Sequence, residues 1–118
     1  MDLTFSEQDE AFRDAARTWL TANVPAEPLP SLDTEAGFTA HRDWERKLHA
    51  AGWSAVHWPA EYGGRDASLM QWLLFEEEYY ACGAPLRVTQ NGLFLLGPTL
   101  LEHGTPAQRA KYLSLIHI

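Results

Sequence analysis

Ser6-Glu7-Gln8-Asp9-Glu10-Ala11-Phe12-Arg13-Asp14-Ala15-Ala16-Arg17-Thr18-Trp19-Leu20-Thr21-Ala22 decides the fold class of this chain. Phe12, Ala15, Ala16, Trp19 and Leu20 fall at the i, i+3, i+4, i+7 and i+8 positions of one helical face. Thr4 with Glu7, or Ser6 with the acidic first turn, supplies an N-cap. Pro25, Pro28 and Pro30 then end the helix and predict a stiff, extended connector.

The same period recurs downstream. A second helix is expected from Glu35 or Thr39 to Ala51, with Ala40, Trp44, Leu48 and Ala51 inward. Arg42, Asp43, Glu45, Arg46 and Lys47 are expected outside, and Gly52 closes the helix in the left-handed conformation. Trp53-Ser54-Ala55-Val56-His57-Trp58-Pro59 reads as a buried, irregular crossing. Glu61 to Asp66 reads as a tight loop, because Gly63 and Gly64 permit positive φ. Ser68 and Gln71 form a capping box for a third helix ending near Gly83-Ala84-Pro85. A fourth segment, Val88 to His103, is apolar on nearly all sides, as in a helix enclosed by a larger assembly. Pro98 is expected to kink or divide it. Gly104 ends it, and Thr105-Pro106-Ala107-Gln108 caps a fifth helix. With no run of strand alternation, the reading is an all-α domain of about five helices.

The chain has 118 residues, 46% of them hydrophobic and 21% charged, with a net charge of −7. That composition belongs to one folded domain and excludes a disordered chain. The acidic surface argues against nucleic acid, whose phosphates demand surplus Lys and Arg, and against an anionic membrane surface. The longest apolar stretch, Gly92 to Leu101, is too short for a membrane span. The single cysteine, Cys82, makes no internal disulfide. No basic, apolar leader opens the sequence, and a cytoplasmic location is expected.

Chemistry-bearing residues are sparse. His41, His49 and His57 are evenly spaced but lack the converging carboxylates or thiols of a metal site, and no metal is expected. Cys82 sits at a helix C-terminus, where the dipole disfavours a thiolate. Glu76-Glu77-Glu78 point about 100° apart on a helix and are read as a solvated face. Gly63-Gly64 lacks the strand and the spacing of a dinucleotide cradle. No catalytic constellation is present.

The order of motifs nevertheless resembles the N-terminal helical domain of the acyl-CoA dehydrogenase family. The resemblance begins at Leu3-Thr4-Phe5-Ser6-Glu7-Gln8 and continues through Leu48-His49-Ala50-Ala51-Gly52-Trp53. Trp58-Pro59-Ala60-Glu61-Tyr62-Gly63-Gly64 is similar to the family's Pro-x-Glu-Tyr-Gly-Gly loop, and Glu76-Glu77 follows on the third helix. Gly97-Pro98-Thr99-Leu100 and Gly104-Thr105-Pro106-Ala107-Gln108-Arg109-Ala110-Lys111-Tyr112-Leu113 complete it.

The resemblance implies an up-and-down orthogonal bundle over residues 1–113, followed in the family by a middle β-domain and a C-terminal four-helix bundle. Residues 114–118 depart from the family pattern, and the expectation is a chain cut short before the β-domain. The implied reaction is α,β-dehydrogenation of an acyl-CoA thioester, in fatty-acid or related catabolism. A carboxylate of the C-terminal domain takes the α-proton, FAD takes the β-hydride, and an electron-transferring flavoprotein takes the electrons. The helical domain would cover the flavin and wall the acyl pocket with Gln90, Leu93 and Leu96; flavin-contacting residues are not assigned, and the chain alone is expected to be inactive. The implied assembly is a homo- or hetero-oligomer. Two alternatives share the fold: a non-catalytic subunit of a heteromeric pair, and an acyl-CoA oxidase. A carboxylate base in the downstream reading frame separates the enzyme from the non-catalytic subunit.

Overall fold

A computed structural model describes residues 4–116; Leu3 of the opening motif and His117-Ile118 of the tail lie outside the described residues. Three long helices come first: α1 (Glu7–Asn23), α2 (Glu35–Ala50) and α3 (Leu69–Ala81). Between α2 and α3 runs the crossing, with a short 3₁₀ turn at Ala60–Tyr62. A π-helical turn, Gly92–Leu96, runs directly into α4 (Gly97–His103). The last stretch comprises α5 (Pro106–Gln108), a second π-helical turn at Arg109–Leu113, and α6 (Ser114–Ile116). The described residues thus form five helical stretches and no strand, as the periodicity predicts.

The caps follow the local chemistry. Ser6 accepts the Asp9 N–H and Thr34 accepts the Gly37 N–H, so a side-chain oxygen satisfies an orphan donor at each helix start. Ser68–Gln71 and Thr105–Gln108 each close a complete capping box. Gly52 adopts φ 77° at the end of α2, and Gly83 adopts φ 69° after α3. The Arg65 guanidinium reinforces the end of α2. It donates to the Ala51 and Gly52 carbonyls, both at 2.8 Å, and lies 3.5 Å above the Trp53 ring.

Two buried clusters hold these elements. The larger joins Ala16 and Leu20 of α1, Trp44 and Leu48 of α2, Trp53 and Val56 of the crossing, and Phe75 and Tyr79 of α3. Ala15, expected on the inner face of α1, is exposed. The smaller cluster gathers Ala55, Trp58, Leu93 and Leu113. Trp58 is sealed by backbone: a Cβ on Gly97 would lie 2.1 Å from its ring, and a Cβ on Gly64 would lie 1.9 Å from its carbonyl oxygen. Only glycine fits at either place. Gly63 supplies the positive φ in this loop, and Gly64 supplies the close approach.

Two expectations about the third and second helices change. Glu77 and Glu78 are not simply solvated: Arg13 reaches Glu77 at 2.8 Å, and Arg17 grips Glu78 through two bonds of 2.7 and 3.0 Å. They brace α3 against α1 because two arginines one turn apart on α1 face them. Glu45, expected outside, is buried at 3% exposure. It lies on the stripe His41, Trp44, Glu45, Leu48, and its charge is met by Arg87.

Candidate functional site

The fourth stretch departs from α-geometry where the sequence demands it. Pro98 has no N–H to donate, and its ring crowds the turn before it. The chain widens ahead of it, so that the Gly97 N–H bonds the Gly92 carbonyl five residues back. The Thr99 hydroxyl donates to the Leu95 carbonyl at 2.8 Å. Pro98 therefore divides a wide turn from an α-turn and leaves the stretch continuous.

This turn carries Leu93 and Leu96 of the residues expected to wall a pocket, and Gln90 stands two residues before it. Leu93 is fully buried in the smaller cluster, while Gln90 and Leu96 are exposed. The wide turn breaks the three-residue stacking of a regular α-helix, so Leu93 points into the core and Leu96 does not share its burial. Leu95 and Leu96, 66% and 48% exposed, form an apolar edge of the turn. Phe94 belongs to a slab of near-parallel rings with His57 and Trp72. The His57 ring lies 3.8 Å from Trp72, and both its nitrogens are buried without a hydrogen-bond partner among the described residues. Burial, with the Arg87 charge adding to it, lowers the His57 pKa to about 4, so the ring is neutral and stacks as an aromatic. Thr89 Oγ1, at the entry to the stretch, is also buried without a partner among the described residues.

Just before the turn lies a polar cluster that sequence reasoning missed. Arg87 Nε donates to Glu45 Oε1 at 2.5 Å, and its Nη2 donates to Glu45 Oε2 at 3.1 Å and to the Ser54 carbonyl at 2.7 Å. The two side chains are 3% and 4% exposed. Tyr79 completes the cluster, accepting from Trp44 Nε1 at 2.8 Å and donating to the Pro85 carbonyl. Burial raises the pKa of its phenol and keeps it a donor. The helical stripe contained the signal for Glu45; nothing local marked Arg87 as its partner.

The carboxylates nearest the wall are engaged. Glu76 accepts from Trp72 Nε1, and Glu77 and Glu78 hold α1. Cys82 donates to the Tyr79 carbonyl, and burial raises its pKa, away from thiolate chemistry. Among the described residues no three His, Cys, Asp or Glu converge on a point, and no helix is long and apolar enough to cross a membrane. A cleft of about 660 Å³ lies beneath the proline connector, between Pro25, Pro28, Pro30, His41, Cys82 and Pro85; no residue of the wall lines it. What the arrangement offers chemically is an apolar, aromatic-backed surface set on a buried ion pair.

Known proteins agree with this architecture. The family description "Acyl-CoA dehydrogenase, N-terminal domain" matches residues 6–116. Acyl-CoA dehydrogenase IpdE1 of Mycolicibacterium smegmatis is 39% identical over 114 residues, covering 91% of this chain and 29% of that protein. The solved ChsE4-ChsE5 complex from Mycobacterium tuberculosis superposes with a TM-score of 0.77 at 28% identity, over 99% of this chain and 29% of that one. The Tcur3481-Tcur3483 steroid ACAD gives a TM-score of 0.75 at 26% identity, over 99% and 30%. The chain thus spans under a third of the length of the relatives it matches, and within that span the fold superposes on theirs. It belongs to the acyl-CoA dehydrogenase family and carries that family's N-terminal domain.

Proposed function

We propose that this chain is the N-terminal part of an FAD-dependent acyl-CoA dehydrogenase and forms one wall of its acyl pocket. The observation that carries the reading is the apolar edge of the Gly92–Leu96 turn. Leu95 and Leu96 are exposed there, and α3, whose Trp72 stacks with Phe94, exposes Leu69, Met70 and Leu73. Large apolar side chains exposed in this number on two packed elements point to contact with a ligand or with further protein. Gln90 and Leu96 are the residues offered to the acyl group, and Leu93 anchors the turn from behind. In the plainer alternative these residues only pack against neighbouring domains.

The Gly63-Gly64 loop does not fit the pyrophosphate of FAD. The N–H groups of Gly63, Gly64 and Arg65 are already bonded to the Ala60, Pro59 and Val56 carbonyls, which leaves no donor cradle there. In this reading the flavin and the proton-abstracting carboxylate are held by the rest of the protein. This domain orients the acyl group and excludes water from it. Residues 1–113 make up the domain in this reading and residues 114–118 an atypical tail, although the family match itself runs to residue 116. The reaction delivers electrons to an electron-transferring flavoprotein. Because both solved relatives are named for pairs of components, one of them a steroid ACAD, we favour a heteromeric assembly acting on a bulky, ring-derived acyl group. A non-catalytic partner in such a pair is the second reading.

Leu96→Trp in the complete enzyme tests the wall. The preferred acyl group should become smaller, at about 1–3 kcal/mol for each excluded methylene, with FAD content and activity on the smallest substrates retained. Loss of flavin or of folding, with acyl preference unchanged, would show that the turn only packs. The 118-residue chain alone should purify colourless and reduce no dye with an acyl-CoA. A yellow, active preparation would contradict the division of labour proposed here.

A further inference from the structure

The segment between α3 and the fourth stretch, 82–89, has no regular backbone, yet it sets where Gln90 begins. Two buried contacts locate it. Tyr79 of α3 donates to the Pro85 carbonyl, and Arg87 is clasped by Glu45 of α2 and Ser54 of the crossing. A bidentate guanidinium–carboxylate pair fixes both distance and plane, as a flexible ammonium cannot. Such a pair, removed from water, contributes little net stability over well-packed apolar residues of similar volume. Its effect on geometry is the larger one: Arg87 stands three residues before Gln90, and Leu93 then locks the turn into the smaller cluster.

We infer that Arg87, held by Glu45, is the positioning residue that sets the placement of the Gln90–Leu96 wall and thereby the acyl selectivity of the complete enzyme. The inference rests on the pocket-wall reading above. Neither side chain touches the acyl group; both act through the backbone they hold. The α2 helix, otherwise remote from the wall, becomes part of the selectivity apparatus through Glu45.

The test uses the complete enzyme and three variants compared across a graded set of acyl-CoA substrates. Leu96→Trp reports on the wall itself. Glu45→Leu with Arg87→Met removes the pair without leaving a buried charge unpaired, so the double variant is expected to melt close to the parent. Its KM for the preferred acyl-CoA should rise about five- to tenfold and its ranking of substrates should flatten, with kcat on the smallest substrate unchanged. Glu45→Asp keeps the charge and withdraws the carboxylate by one methylene. It should shift KM about threefold in the same direction, with circular dichroism confirming the parent's helical content. Parent-like KM and ranking in Glu45→Asp, or in a folded double variant, overturn the inference if Leu96→Trp has changed the ranking. If Leu96→Trp leaves the ranking untouched, the pocket-wall reading fails, and the inference falls with it.

Discussion

Around Trp53 the core draws on three helices and the crossing, and its rings meet face to face: Trp53 and Phe75 stack at 5.7 Å, with Phe12 edge-on at 5.6 Å. Around Trp58, among the described residues, the buried side chains are Ala55, Leu93 and Leu113, with half-buried Tyr62, Phe94 and Leu101 against them, and helix backbone at Gly97 forms the lid. The first region is braced on its outside by Arg13 and Arg17 against Glu77 and Glu78. The second leaves Leu95, Leu96, Tyr112 and Leu115 exposed on its outside, and α3 of the first exposes Leu69, Met70, Leu73 and Tyr80. Dispersion and burial grow with the number of enclosed neighbours, so the first region is the more self-sufficient. In the proposed reading the second is completed by the rest of the protein and the acyl group, because the proposed wall lies there.

The largest test of that contrast is a pair of cavity variants in the complete protein. Phe75→Ala should cost about 3–5 kcal/mol and loosen amide protection throughout the domain. Leu93→Ala should cost about 2–3 kcal/mol, with exchange raised chiefly in the Gly92–Ile116 stretch. Equal, domain-wide loosening from both variants would erase the distinction. Next comes Gly97→Ala, whose new methyl would stand 2.1 Å from the Trp58 ring. Moving helix and ring apart should cost about 1–3 kcal/mol and shift Trp58 fluorescence. An unchanged denaturation midpoint would show that the small cluster is already loose.

His57 lies where the regions meet, and its effect is smaller. An imidazole ordinarily titrates near 6.5, and burial holds this one at about 4. As pH falls from 6.5 to 4 the unfolded chain takes up a proton that folded His57 refuses, so stability is lost across that window. His57→Phe keeps the stack, removes two unbonded nitrogens, and should flatten stability between those pH values while gaining about 1 kcal/mol at pH 7. Urea titrations at several pH values would decide, and an unaltered slope would mean that the ring is hydrated. The least effect belongs to Glu78→Gln. The hydrogen bond from Arg17, with the Arg17 and Arg13 charges, holds the Glu78 pKa below the usual carboxylate value. The brace is therefore complete above about pH 4.5 and is lost as acid titrates Glu78. The variant should show a slightly lower midpoint at neutral pH and a shallower acid limb, both fading in high salt.

Local chemistry was legible wherever it acted within a turn or two. The Ser68–Gln71 and Thr105–Gln108 boxes, the left-handed Gly52, the stripe of α1 apart from Ala15 and the buried crossing all follow from short-range spacing and stand in the structure. The wall was legible only in part. The resemblance offers Gln90, Leu93 and Leu96 together as a wall, whereas the π-helical turn ahead of Pro98 leaves Leu93 buried and Gln90 and Leu96 exposed. The acidic run on α3 looked solvated because its partners, Arg13 and Arg17, lie more than sixty residues away.

The amino-acid sequence by itself determined an all-helical chain, the positions of its caps and breaks, and the order of motifs that joins it to its family. Hydrophobic period, side-chain capping and proline geometry are all settled between near neighbours. Only the tertiary structure decided that Glu45 turns inward and that Trp58 is enclosed by two glycines. It alone decided that the root of the fourth stretch is held by an ion pair closing a 42-residue separation. Which charge is buried depends on whether a counter-charge arrives in the same place, and that is known only once the chain has folded.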